Sequence, residues 1–306
     1  MKVLFSVVIA AYNREKLIRQ TIDSVLSQTF KDYEIIVVDD GSTDKTKDIL
    51  QSYGTHINTV YQVNQGPEVA YRTGASLASG EYLAFLDSDD LFLPYALETY
   101  DKIIRLLDSP PIIMGAMKRF WQDQDLQADE VDADVVEVLK YRDYLSKDVS
   151  IGLAQSRIVM QKLTFEKAYD PADIANPCYM NDYNLMLQVG IFGPCVIVKR
   201  PTTVAYRQHE SQGSLKVEKM AQGALSMIHM VQKGQCSGGR TRSYARYAYL
   251  GGPLFEWIRK AFRIHQPRLA IRLLISGWPM VAAAVLRKLW FRIRKTSPLI
   301  LLKNKD

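Results

Sequence analysis

Residues Phe5 to Ala11 form an apolar, largely β-branched stretch without polar alternation, the pattern of a parallel strand covered on both faces. An amphipathic helix pattern follows, with Leu17, Ile18, Ile22, Val25 and Leu26 at spacings of three to four and Arg14, Glu15, Arg19 and Asp23 between them. Tyr33 to Val38 is a second buried strand. It ends in Asp39-Asp40-Gly41-Ser42-Thr43, where glycine permits the turn and Ser42 or Thr43 is expected to cap a helix through Leu50. A strand, helix and strand in this order demand a crossover, so the chain is an α/β protein built on a mostly parallel central sheet flanked by helices.

The alternation continues. A short strand near Ile57 to Val63, a helix from Glu68 to Ser79, and a strand from Tyr82 to Leu86 are expected in turn. Pro94 suits the first turn of a helix reaching Leu107, and Pro110-Pro111 stops it before a strand from Ile112 to Met117. The acidic segment from Asp123 to Asp134 is expected to be a surface loop without chemistry. From Asp182 to Val189 the spacing is helical again, with Leu185, Met186 and Val189 inward, which sets Asp182 in the first turn where an anion is favoured.

Charge is segregated along the chain. The net charge is +6, yet from Arg240 to Asp306 there are 15 Lys/Arg against 2 Asp/Glu, so everything upstream is net acidic. Such a tail points to an anionic partner. Its apolar residues include Phe255, Trp257, Phe262, Leu289 and Trp290, interleaved with arginine and lysine, so a basic amphipathic helical appendage is expected over residues 216–306. That face either meets an anionic membrane surface or packs on the rest of the chain with its basic side in solvent. The longest uncharged apolar stretch, Leu273 to Leu286, has 14 residues and is too short to span a bilayer. The apolar run after Lys2 imitates a secretory signal, but its removal would delete the first buried strand. Three cysteines without a CxxC pair indicate neither a disulfide framework nor a zinc site, and suit a reducing compartment.

Chemistry gathers at one edge. In doubly wound sheets ligands sit outside the carboxyl ends of the strands, where Tyr12-Asn13, Asp39-Asp40 and Asp87 to Asp90 all fall. The turn after the first strand, Ala10 to Arg14, lacks glycine and is neither a dinucleotide fingerprint nor a P-loop, so phosphate must be neutralised by other means. Asp87, Asp89 and Asp90 repel one another, each pair at about 4 Å costing roughly 4 kcal/mol at an effective dielectric of about 20. A hard divalent cation, Mg²⁺ or Mn²⁺, would relieve that repulsion and bridge to phosphate.

These segments together resemble the family 2 glycosyltransferases: Phe5 to Asn13, Ser27 to Phe30, Glu34 to Asp44, Gly80 to Asp90, then Asn181 to Gln188 and Tyr206 to His209, roughly two thirds of the chain in the family's order. The resemblance implies a GT-A fold, with a nucleotide-sugar-binding half over residues 1–118, an acceptor half over 119–215 and the basic region after it. It implies that Ala10, Tyr12 and Asp40 line the base and ribose, that Asp87 and Ser88 face the donor, and that Asp87, Asp89 and Asp90 lie at the cation, with His209 a candidate ligand. Asp182 inherits the role of general base. Where the family commonly has Glu-Asp, this chain has Asn181-Asp182. Where it has Ala-Arg-Asn-x-Gly, this chain has Ala70 to Gly74, so Arg72 either contacts phosphate from a shifted position or is structural.

The function so implied is metal-dependent, inverting transfer of a sugar from a nucleotide-diphosphate sugar to a hydroxyl of a glycan or lipid-linked acceptor. It suits cell-surface polysaccharide synthesis in the cytoplasm, at the inner face of the membrane. A nucleotidyltransferase acting on sugar phosphates would need a glycine-rich basic loop after the first strand, which is missing. A non-catalytic binder of anionic polymers would explain the tail but not the converging aspartates, so nucleic acid is not the expected partner.

Overall fold

The computed structural model describes residues 3–121, 135–149, 151–167, 181–210, 212, 216–293 and 299–303. In chain order these form β1 (Phe5–Ala11), α1 (Ile18–Leu26), β2 (Tyr33–Asp39), α2 (Thr46–Gln51), β3 (Asn58–Tyr61), α3 (Pro67–Leu77), β4 (Tyr82–Asp87), β5 (Leu91–Phe92), α4 (Ala96–Leu106) and β6 (Ile112–Phe120). Then come β7 (Val135–Tyr141), β8 (Ile158–Gln161), α5 (Lys162–Glu166), α6 (Asn181–Val189), β9 (Cys195–Arg207), α7 (Val217–Lys233), α8 (Ser243–Arg263), α9 (Pro267–Ile293) and β10 (Leu299–Lys303). The expected acidic loop at 123–134 lies outside the described residues.

The strands join in one sheet, ordered β10-β7-β9-β6-β8-β4-β1-β2-β3, with β5 on β9. Strands β3, β2, β1 and β4 are parallel. Beyond β4 the sheet becomes mixed: β8 runs antiparallel between β4 and β6, β9 is parallel to β6, and β7 and β10 are antiparallel additions. Alternate residues of β1 feed two cores. Val8 joins Ile36, Val38, Leu83 and Phe85 on one face, while Phe5, Val7 and Ile9 join Ile35, Val37 and Leu86 on the other. All of them are buried, and each large aliphatic contributes about 1.5–3 kcal/mol by leaving water. Helix α3 lies close on β1 because Gly74 has no side chain there; a Cβ would sit 2.4 Å from Val8 Cγ1.

Two local expectations differ. Helix α2 begins at Thr46, whose N–H donates to Asp44 Oδ1 at 2.9 Å, with Lys45 at its N-cap and Asp44 one residue before the cap, so neither Ser42 nor Thr43 caps it. Gly41, at φ +78°, turns those two residues toward β1 instead. Asn13 N–H donates to Ser42 Oγ at 2.9 Å and Thr43 N–H donates to Asn13 Oδ1 at 2.8 Å.

The C-terminal region differs more. Helices α8 and α9 are antiparallel, as Gly251 against Met280 and Leu254 against Gly277 require. Helix α9 has 27 residues, so the expectation of a segment too short to cross a bilayer is corrected. By length and composition it is long and apolar enough to span one. Arg272 and Arg287 lie within it rather than at its ends, and Gly277 and Pro279 do not interrupt it. Nor is the region wholly helical: the apolar run Leu299 to Leu302 pairs with β7 and extends the sheet. The inner faces of α7, α8 and α9 belong to the same core as the sheet, through Met227, Leu254, Trp257 and Leu273.

Candidate active site

The parallel register brings the acidic residues together. Ala10 stands opposite Val38 on β2 and Asp87 on β4, so the last residues of three adjacent strands end at one level. Asp39, Asp40, Asp87 and the turn after it therefore share an edge.

Asp40 is buried and holds the chain beyond β3. Its Oδ1 accepts from Gln62 Nε2 at 2.7 Å and Gln65 N at 2.9 Å, and its Oδ2 from Gly66 N at 2.8 Å. Ala10 is half-buried at the end of β1, and Tyr12 stands 45% exposed on the turn after it, open to a ligand. Ser88 is buried.

The three aspartates after β4 occupy different surroundings. Asp87 is half-buried, and its Oδ1 accepts from the buried Tyr71 hydroxyl at 2.6 Å. Burial first, then the charge of Asp89, pushes Asp87 up to about 7, against the Tyr71 hydrogen bond. Asp89 Oδ2 lies 3.0 Å from His209 Nε2 and 3.4 Å from Arg14 Nη2. Burial works to raise Asp89, but the hydrogen bond from His209 and the Arg14 charge outweigh it and hold the carboxyl below its usual range. Asp90 is fully buried: Ser156 Oγ donates to its Oδ2 at 2.6 Å and Arg207 N–H to its Oδ1 at 2.9 Å. Burial and its two acidic neighbours drive its pKa well up. The Asp90 carboxyl thus points inward, bracing the turn after β4 against β9, in surroundings unlike those of Asp87 and Asp89.

Asp182 reaches this edge from a distant part of the chain. Helix α6 begins at Asn181, so Asp182 lies within the first turn, where its Oδ1 accepts from Tyr183 N at 2.8 Å. Asn184 Nδ2 donates to Glu68 Oε1 on α3, and Asn181 Nδ2 to Gln155 Oε1, each at 3.2 Å. Ser156, next to Gln155, accepts from Asp87 N–H at 2.9 Å. These ties set Asp182 close enough that its charge raises Asp87. Burial pushes Asp182 itself up to about 6, against its backbone hydrogen bonds.

Two residues at this edge escaped the sequence analysis. Arg14 falls in a helical spacing that puts it on a solvated face, but α1 starts only at Ile18. Arg14 N–H instead donates to Thr46 Oγ1 at 2.8 Å, and its side chain turns to Asp89 with a buried Nε that has no partner. The glycine-free turn that needed another way to neutralise phosphate was the available signal. Tyr71 is the second, beside Arg72. On α3 it is Tyr71 that reaches Asp87, while Arg72, the next residue, is half-buried.

Residues 6–131 match the family described as glycosyl transferase family 2. The match takes in β1 to β6 and with them Asp40, Asp87 and Asp89. An uncharacterized glycosyltransferase of Rickettsia typhi is 42% identical over 111 residues, 36% of this chain and 35% of that protein. The putative teichuronic acid biosynthesis glycosyltransferase TuaG of Bacillus subtilis is 45% identical over 101 residues, 32% of this chain and 40% of that one. The chain thus spans little more than a third of these relatives' length. The match ends before α6, so Asp182 and His209 lie outside the family 2 segment.

The fold likeness runs further. The crystal structure of S. aureus TarS residues 1–349 in complex with UDP-GlcNAc matches with a TM-score of 0.57 at 18% identity, over 95% of this chain and 92% of that one. The same TarS segment in complex with UDP matches with a TM-score of 0.53 at 16% identity, over 95% and 91%. The fold likeness therefore runs beyond the family 2 segment over nearly the whole chain, and the fold is of the GT-A type.

Proposed function

We propose that this chain transfers a sugar, with inversion, from a nucleotide-diphosphate sugar to a hydroxyl of a glycan or lipid-linked acceptor during cell-surface polysaccharide synthesis. One observation carries the reading: Asp182, from a segment 95 positions beyond Asp87, is held over the carboxyl edge of the family 2 segment within electrostatic reach of Asp87. The TuaG likeness supports the polysaccharide setting, and the TarS complexes, solved with UDP-GlcNAc and UDP, support a nucleotide-sugar donor.

The donor set suits a hard divalent cation. Among the described residues no three acidic, His or Cys side chains converge as a ready cage. Mg²⁺ and Mn²⁺ need none, because such ions are held by one or two carboxylates and take the rest of their shell from phosphate and water. Asp87 and Asp89 are that pair, and their mutual repulsion is what a cation relieves. When bound, it would offset negative charge on the leaving diphosphate. His209 hydrogen-bonds Asp89 and thereby orients it.

The chain's own groups do the remainder. Arg14, with its unpartnered Nε, lies where a diphosphate would meet Asp89 and supplies positive charge. Tyr12 offers an exposed ring to the base. Asp40 holds the loop from Gln62 to Gly66 that walls the base side. Asp182 takes the acceptor's proton as the hydroxyl attacks, and a carboxylate near pKa 6 is ionised at neutral pH yet basic enough to help. The acceptor oxygen bonds the anomeric carbon as the diphosphate leaves from the opposite face.

The test is a thermal-shift screen of nucleotide sugars with and without Mn²⁺, since a donor that binds only the native state raises the melting temperature. One donor should stabilise the wild type more with Mn²⁺, and Asp89→Ala should lose that increment while still folding. An increment that survives in Asp89→Ala would overturn the cation assignment. Absence of any donor response would overturn the reading as a whole. The free, buried thiols of Cys195 and Cys236 suit the cytoplasmic setting that the reading implies.

A further inference from the structure

We infer that the outer face of α9 rests in the plane of an anionic phospholipid bilayer, seating the protein as an interfacial rather than a spanning membrane protein. The inference is independent of sugar transfer and rests on the packing of the C-terminal helices alone.

Helix α9 is apolar on two opposite sides. Its inner side, with Ala270, Leu273, Gly277 and Met280, packs on α8, and a Cβ at Gly277 would lie 2.0 Å from Leu254 Cδ2. Its outer side repeats at helical spacing through Ile271, Ile275, Trp278, Val285, Leu286 and Leu289, and all six are exposed. Ile275 is 70% and Trp278 61% exposed, in a helix whose inner residues are almost wholly buried. At 1.5 Å per residue the stripe is about 27 Å long, far beyond the scattered apolar side chains of an ordinary surface.

Topology decides between lying in and crossing. Helix α9 packs along α8, where Tyr244 Oη donates to Ala283 O, and at its start Gln266 Nε2 donates to Glu218 Oε1 on α7. Beyond its end, β10 pairs with β7 in the same sheet that carries the site. Both ends are tied to one side, so a helix with the length to span cannot do so without breaking β10 from the sheet.

Charge selects the occupant. Arg259, Lys260, Arg263, Arg268, Arg272 and Lys288 are exposed on the two helices that carry the stripe. Between Arg240 and Lys305 the chain has one acidic residue, Glu256. A second copy docked on this face would bring like charges together, whereas an anionic headgroup layer receives the apolar side chains and offsets the basic ones. Two further basic residues of this region serve the fold: buried Arg246 donates to the carbonyls of Leu187, Gly239, Thr241 and Ser237, and Arg287 to those of Leu145 and Lys147.

Sedimentation of the full chain with phosphatidylcholine vesicles, with or without about a third phosphatidylglycerol, tests the inference without donor or turnover. The chain should bind the anionic vesicles, and less so at high salt. Ile275→Ser/Trp278→Ser should weaken that binding by about tenfold or more at an unchanged melting temperature, since both side chains are exposed. Arg272→Gln/Lys288→Gln should flatten the salt dependence while leaving the apolar stripe whole. The fluorescence lost in Trp278→Phe identifies the Trp278 signal, which shallow-brominated lipids should quench more than deep-brominated ones, because Trp278 lies near the middle of α9. Unchanged binding of the serine variant would overturn the proposal, as would dominant quenching from the bilayer centre. A chain that ignores vesicles but forms a dimer that the serine variant abolishes would assign the face to a second copy.

Discussion

The carboxyl edge of the sheet buries charge, whereas the α8–α9 hairpin exposes hydrocarbon. At the edge, Asp87 and Asp182 are raised to about 7 and about 6 by burial before anything else. On the hairpin, Ile275 and Trp278 stand exposed on a helix whose opposite side is buried. Each region departs from the stable choice in the opposite sense. The proposed cation with diphosphate would relieve one departure and the proposed lipid surface the other, and such departures mark function more reliably than well-packed regions do.

The comparison can be broken hardest at Asp182. Asp182→Asn keeps the shape and an acceptor for Tyr183 N–H but removes the base, so turnover should fall about 10²- to 10⁴-fold with little change in donor affinity. Its stability should move the other way. With a folded pKa of about 6 against about 3.9 unfolded, Asp182 stabilises the fold below about pH 4, and that contribution is lost as pH rises through 6. The amide escapes this loss, so at pH 7.5 the variant should be more stable than wild type by on the order of 2–3 kcal/mol. A fall in stability together with turnover would make Asp182 a structural residue.

The hairpin offers a contrast between its two sides. Leu273→Ala removes a fully buried side chain and should cost about 2–5 kcal/mol in urea unfolding, whereas Ile275→Ser on the outer side should stay within about 0.5 kcal/mol. Similar losses at both positions would mean that the outer face is packed in solution.

Within the acidic cluster, Asp90 and Asp89 should separate. Asp90→Ala leaves Arg207 N–H and Ser156 Oγ without their partner and should destabilise by about 1–3 kcal/mol, in the absence of any donor or metal. Normal stability combined with lost Mn²⁺ response would return Asp90 to the cation.

The smallest expected effect is at Tyr71. Its hydroxyl favours the ionised form of Asp87, so Tyr71→Phe should raise the Asp87 pKa further and weaken the Mn²⁺ response about tenfold near pH 7. Recovery near pH 8 would identify the proton on Asp87 as the cause, and a loss independent of pH would point to packing instead.

Periodicity and turn chemistry alone determined the first four parallel strands and the edge where they end, because a strand buried on both faces has few other ways to be written. They also put Asp182 in a helical first turn. Sequence placed Asp87, Asp89 and Asp90 in one motif but could not separate them. Which carboxyl faces inward depends on Ser156, on the turn before β8, and Arg207, on β9, which lie 66 and 117 residues away. Arg14 and Tyr71 were hidden for the same reason, since a local pattern reports a residue's face and not what a crossing segment brings to it. In the tail the basic apolar composition was plain from sequence, but its meaning was not. Only tertiary packing divides α9 into a side filled by α8 and a side left open, because period and composition are the same for both. Only the pairing of β10 with β7 ties the chain beyond a helix long enough to cross a membrane back to the sheet that carries the site.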